Sequence, residues 1–313
     1  MRRSHRLILL ILIVLAPMTA AAKAQASIWS PSPGHVQIPI WPGPPPDASV
    51  AAAPESVDGA MAHNVSIPTM TVYSPKGANT GAAVVVFPGG GYQVLAMALE
   101  GTEICDWLTA KGIACVLLKY RVPNSGPHWE DQCQCQVEPK IPAALQDAQR
   151  TLGLVRLHAM QWGIDPNKIG VIGFSAGGYL VAWISTHFET RAYAPIDAAD
   201  RESCRPDFAI ALYPGHLSMA PNTLALRPTI AGAITAQSPP TFLLQNEDDH
   251  VDSIDDSISY YMALKKAGVP VELHAYAQGG HAFGLRPSKL AVSHWPGLAE
   301  TWMAGLGIIP PAP

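Results

Sequence analysis

The chain has 313 residues, 48% of them hydrophobic and 14% charged, with a formal net charge of −4. That balance excludes a wholly disordered or collagen-like polypeptide and is ample for a sizeable core. The basic residues form no stripe, so no nucleic-acid partner is expected.

Residues 1–26 carry the features of a secretory signal peptide. Arg2, Arg3 and Arg6 form a positive head, Leu7 to Ala16 is an unbroken apolar run, and Ala24-Gln25-Ala26 offers a small-x-small cleavage site. The run is too short for a bilayer-spanning helix, which needs about 20 apolar residues. Export to the periplasm or medium is therefore expected, with no stable membrane insertion after cleavage. Without Arg2, Arg3, Arg6 and Lys23, sixteen basic residues face twenty-four acids, a net charge of −8.

Residues 27–68 are rich in proline (Pro31, Pro33, Pro39, Pro42, Pro44 to Pro46) and read as an extended arm on the surface, because proline cannot donate to a ladder. From residue 69 to 313 short apolar runs alternate with helical patterns. Thr69 to Tyr73 reads as an edge strand, Ala82 to Phe87 as a buried strand, Glu100 to Lys111 as a helix and Ile113 to Lys119 as a strand. Ala143 to Trp162 is a long helix, Lys168 to Phe174 a strand, Ala176 to His187 a helix and Asp207 to Tyr213 a strand. Thr241 to Gln245, Ser253 to Ala267, Val269 to Tyr276 and Ser288 to Met303 complete the alternation as strand, helix, strand, helix. This rhythm predicts one α/β domain with a mostly parallel central sheet and helices on both faces. Val122 to Glu138 and Ala192 to Ile234 break the rhythm and read as binding loops that set specificity.

Five cysteines are present. Cys105 and Cys115 fall in a helix and a strand and read as small buried hydrophobes, whereas Cys133 or Cys135 could bridge to Cys204. The set His128, Cys133 and Cys135 matches no usual structural zinc spacing, so no metal is expected.

The strongest local signal is Gly173-Phe174-Ser175-Ala176-Gly177-Gly178, where a buried strand turns abruptly into a helix. Gly-x-Ser-x-Gly in that context forms a tight turn that exposes the serine Oγ and aims the next backbone N–H at a substrate oxygen. Serine needs a base, and His281 in Gly279-Gly280-His281-Ala282 follows the last strand. The imidazole needs a carboxylate, and Glu247-Asp248-Asp249 follows the strand before it. The order Ser…Asp…His suits this architecture. Phe87-Pro88-Gly89-Gly90-Gly91-Tyr92 supplies backbone N–H groups after another buried strand. With the Ala176 N–H, Gly90 and Gly91 are the expected oxyanion hole, and Tyr92 beside them is the expected substrate-binding side chain. His216 follows the Tyr213-Pro214-Gly215 turn and carries no assignment.

These motifs, with Ile40-Trp41-Pro42-Gly43, Leu118-Lys119-Tyr120-Arg121 and Leu145-Gln146-Asp147-Ala148-Gln149-Arg150, resemble the α/β-hydrolase superfamily, in particular exported acetyl esterases of the acetyl xylan esterase-like group. The resemblance implies an acid in a segment like Asp-x-Val-x-Pro, which falls on Asp249-His250-Val251-Asp252-Ser253 and selects Asp249 over Asp248. Asp252 and Ser253 depart from that pattern, where apolar and Pro residues are usual. Asp147 and Arg150 also match the group, and their i,i+3 spacing reads as a supporting pair.

The expected function is serine-dependent hydrolysis of carboxylic esters through an acyl-enzyme, with Ser175, His281 and Asp249 as triad and no cofactor. The resemblance implies a short acyl group, acetyl on a polysaccharide such as xylan or on a small-molecule ester. Alternatives are a lipase-like esterase for longer chains, a serine peptidase of the oligopeptidase type, and a non-catalytic binding protein on the same fold.

Overall fold

A computed structural model describes residues 28–48, 53–122, 129–130, 135–220 and 223–311. The signal-peptide segment and Cys133 lie outside the described residues. The strands are β1 (Gln37–Pro39), β2 (Ser56–Asp58), β3 (Met61–His63), β4 (Thr69–Tyr73), β5 (Ala83–Phe87), β6 (Val94–Ala96) and β7 (Ala114–Lys119). After them come β8 (Trp129–Glu130), β9 (Cys135–Gln136), β10 (Ile169–Phe174), β11 (Ala209–Leu212), β12 (Thr241–Asn246) and β13 (Val271–Tyr276). The helices are α1 (Glu103–Ala110), α2 (Pro142–Leu157), α3 (Ala176–Ile184), α4 (Pro228–Ala231), α5 (Ile254–Lys266) and α6 (Trp295–Gly305).

Eight strands form the central sheet in the order β1-β4-β7-β5-β10-β11-β12-β13. The six strands from β7 to β13 run parallel, while β4 pairs antiparallel with both β7 and β1. Every residue of β5, β7, β10, β11 and β12 is buried, as expected of strands covered on both faces. From β5 the chain moves through α1 to β7 on one side. From β10 it moves through α3 to β11 on the other. Adjacent β5 and β10 therefore flank a topological switch point, where loops diverge and leave a crevice at the carboxyl ends of the strands.

Three expectations change here. The strand at Thr69–Tyr73 is not the edge, because β1 from the proline-rich segment lies outside it. Nor is that segment only a surface arm. Ile40 and Trp41 are buried, and β2 and β3 form a second sheet with β6, which follows the Gly89–Gly91 loop. Prolines restrict ladder bonding but leave neighbouring Ile and Trp free to fill the core. Finally, Cys105 of α1 and Cys115 of β7 are buried but joined to each other, whereas Cys204 is a buried free thiol that donates to Phe188 O at 3.2 Å. Facing positions on a packed helix and strand decide that pairing; spacing in sequence does not.

Asp147 and Arg150 do not pair with each other. Asp147, fully buried, accepts from Trp41 Nε1 (2.8 Å) and from the backbone and guanidinium of Arg121. Arg150 binds Ile40 O and the carboxylates of Asp197 and Asp200. The two residues thus tie α2 to three separate segments rather than to one another.

Candidate active site

The turn at Ser175 follows from close approach of backbone to backbone. A Cβ on Gly173 would stand 2.1 Å from Gly177 O, and one on Gly177 would stand 2.0 Å from Phe87 O. Only glycine allows β10, α3 and the end of β5 to meet so closely. Ser175 itself takes φ 53° and ψ −120°, a strained backbone that presents its side chain above the sheet. Among the described residues seven non-glycines have positive φ. Five of them, Tyr92, Ser175, Tyr213, His216 and Ala282, lie just beyond the carboxyl ends of β5, β10, β11 and β13. Strain is thus concentrated on one rim of the sheet.

A cavity of about 640 Å³ opens at that rim, lined by Gly90, Gly91, Glu100, Ser175, Asp252 and His281 among others. His281 Nδ1 donates to Asp249 Oδ2 at 2.7 Å, which leaves Nε2 facing the cavity side. Burial opposes ionisation of Asp249, but the bond from His281 and the N–H groups of Asp252 and Val251 outweigh it and hold this carboxyl below the usual range. Burial likewise disfavours imidazolium at His281, yet the bond to Asp249 and the charges of Asp252, Asp249 and Glu100 raise its pKa. Asp248 has a different task. Its Oδ1 accepts from the N–H groups of Gly279 and Gly280 (2.9 and 2.7 Å), which fixes the loop that carries His281.

Ser175 Oγ donates over a long 3.5 Å to Asp252 Oδ2, and no hydrogen bond joins it to His281. Such contacts are commonly loose without substrate and tighten in the reactive complex. Ala176 is buried at the first position of α3, directly after the serine. Gly90, at φ 131°, belongs to a loop whose Gly89 N–H donates to Glu100 Oε2 at 2.7 Å.

Tyr92 is not at the cavity. It is fully buried, and its O–H donates to Ala176 O at 2.6 Å, so it braces the serine turn from beneath. Among the described residues of the segment Ala192 to Ile234, only His216 lines the cavity, while Ala60 and Met61 of the proline-rich segment take part. Asp197 and Asp200 of that segment are engaged elsewhere, with Arg150.

Glu100 carries no motif that would have flagged it, and Asp252 stands out in the sequence only as a departure from the acid motif. Glu100, almost wholly buried, accepts from Tyr213 O–H (2.8 Å) as well as from Gly89; burial pushes its pKa up against those bonds. Burial, followed by the Asp256 and Asp249 charges against the pull of His281, pushes Asp252 up to about 7. His216 is pushed down to about 4 by burial, Arg227 and His281 and is neutral at pH 7. No group of three or more His, Cys, Asp or Glu side chains able to hold a metal occurs among the described residues.

The family model described as BD-FAE matches residues 70–211. An acetylxylan esterase of Xylanibacter ruminicola is 32% identical over 225 residues, 66% of this chain and 42% of that protein, so the chain spans under half the length of this curated relative. The solved structure of an acetyl ester-xyloside bifunctional hydrolase from Caldicellulosiruptor lactoaceticus matches with a TM-score of 0.71 at 33% identity, covering 88% of this chain and 97% of that one. The propionate-bound esterase Est2 of Thermogutta terrifontis matches at 25% identity and a TM-score of 0.63, covering 80% and 93%. With sheet order, serine turn and near-complete overlap with a solved hydrolase in agreement, the chain belongs to the esterase group of the α/β hydrolases.

Proposed function

We propose that this chain is an exported serine carboxylesterase that removes short acyl groups, acetyl in particular, from xylan-like carbohydrate. The observation that carries this reading is the 2.7 Å bond between His281 Nδ1 and Asp249, at the same rim as Ser175 on its strained turn. Likeness to an acetylxylan esterase and an acetyl ester-xyloside hydrolase supports the choice of substrate.

In acylation the Ser175 O–H bond breaks and its proton passes to His281 Nε2 while Oγ bonds to the ester carbon. Asp249 holds the imidazole in the tautomer that leaves Nε2 unprotonated. The carbonyl electron pair moves onto oxygen, stabilised by the N–H groups of Ala176 and of Gly90 or Gly91, each such donor being worth about 3–4 kcal/mol. His281 then returns its proton to the departing alcohol. Water repeats the sequence on the acyl-enzyme, giving carboxylate and free serine.

Hydrolysis of p-nitrophenyl acetate and octanoate, and release of acetate from acetylated xylan, test the reading with Ser175→Ala as control. Acetate turnover should exceed octanoate turnover and fall by about 10⁴-fold or more in the variant. Faster octanoate turnover would assign a lipase-like substrate. Turnover that survives in Ser175→Ala would overturn the mechanism.

A further inference from the structure

The acid at Asp249 accounts for one side of the His281 ring. A second carboxylate stands on the other. Asp252 Oδ2 lies 3.5 Å from Ser175 Oγ and 3.9 Å from His281 Nε2, the two atoms between which the proton must move. Its Oδ1 is buried with no hydrogen-bond partner and faces His216 Nε2 at 3.9 Å. Room for the carboxylate comes from Gly215, where a Cβ would come within 2.3 Å of Asp252 Oδ1. The backbone of Asp252 is held independently of its side chain, by N–H donation to Asp249 and by a bond from Gln245 to its carbonyl. A buried carboxylate that bonds the nucleophile rather than the protein around it is placed for chemistry, not for support.

We propose that Asp252 is a further catalytic residue, whose carboxylate contacts Ser175 Oγ and His281 Nε2 and whose ionisation sets the pH at which His281 becomes available as base. The proposal rests on the serine-esterase reading above.

The groups facing Asp252 define the sign. From the loop after β13 comes His281, and from the loop after β11 comes His216, neutral at pH 7. Ser175 approaches from the turn after β10. Asp249 on its own loop and Asp256 on α5 add negative charge. Arg227 acts on His216 and Asp256. Glu100 adds a further carboxyl that acts on His281. An anion within about 4–6 Å of an imidazole stabilises its protonated form and moves its pKa up by about one unit or more. Ionised Asp252 therefore holds a proton on Nε2 that must leave before the ring can accept the one from Ser175. Once the ring is neutral, the same charge makes it the stronger base and stabilises the imidazolium formed in acylation. Asp252 neither gains nor loses a proton in the transfer itself. At lower pH the two groups share their protons and titrate together, so the acid limb of activity belongs to the pair.

The test is the pH dependence of two rates: kcat/KM for p-nitrophenyl acetate, and phosphonylation of the serine by a fluorophosphonate probe. Both are measured for the unaltered chain, Asp252→Asn and Asp252→Ser. The acid limb of the unaltered chain should lie above the ordinary imidazole value of about 6.5. In both variants it should move to lower pH by about one unit. A limb at or below the ordinary value in the unaltered chain overturns the proposal even if neither variant folds. So does a variant whose plateau falls while its limb stays in place, the result expected of a purely structural residue. Labelling that persists in Ser175→Ala instead overturns the nucleophile assignment; labelling lost there with an unmoved limb overturns Asp252 alone.

Discussion

Asp248 and Asp249 are neighbours with one side-chain chemistry and two employments. Asp249 Oδ2 takes the imidazole N–H, while Asp248 holds the N–H groups of Gly279 and Gly280 that shape the loop beneath it. Asp249→Asn puts an amide where Nδ1–H needs an acceptor and favours the wrong tautomer, so kcat should fall by about 10³–10⁴-fold with KM little altered. Asp248→Ala leaves the imidazole its partner but frees the loop, and a smaller loss with a lower midpoint of unfolding is expected. Steady-state kinetics on both variants check this. Equal losses would show that the two carboxylates share one task.

At the scale of elements, the loop after β5 is held from two directions. A π-helical turn at Ala98–Thr102 carries Glu100 under the loop, where the carboxylate receives Gly89 N–H and Tyr213 O–H. Glu100 therefore links the loop after β5 to the loop after β11, with the serine turn between them. Glu100→Ala strands two buried donors, each at a cost of about 1–3 kcal/mol, and lets Gly90 and Gly91 drift from the site where oxygen charge develops. We expect kcat to fall by about tenfold or more, with KM changed less, and Glu100→Gln to recover part of the loss. A KM effect alone would mean that the loop binds substrate without stabilising the oxyanion.

For the whole molecule, the eight-stranded sheet places the crevice, and Ala60 and Met61 of the proline-rich segment line part of it. Trp41 is the fastener: its ring lies edge-on to Tyr193 at 4.8 Å between centroids, and its N–H ends on buried Asp147. Truncating a large buried aromatic typically costs about 3–5 kcal/mol. Trp41→Ala should lose that amount in urea denaturation, with Ala60 and Met61 at the cavity loosened as a consequence. A loss below about 1 kcal/mol would return residues 27–68 to the status of a surface arm. In the other direction, the bridge between Cys105 and Cys115 ties α1 to β7, one helix–strand contact on the same side of the switch point.

Local signals sufficed for much of this. Buried β-runs located β5, β7, β10 and β12 to within a residue, because a strand covered on both faces is predominantly apolar. Glycines around Ser175 and the segments of Asp249 and His281 were legible for a similar reason: a tight turn and a loop end impose composition on the few residues that form them. What was not legible depends on contacts between distant segments. No pattern in sequence places Asp252 beside Ser175 and His281, buries Tyr92 beneath Ala176, inserts Trp41 against Asp147, or pairs Cys105 with Cys115. Those are decided when the sheet closes and its loops meet at one rim, since burial and charge proximity are properties of the packed neighbourhood and not of the residue.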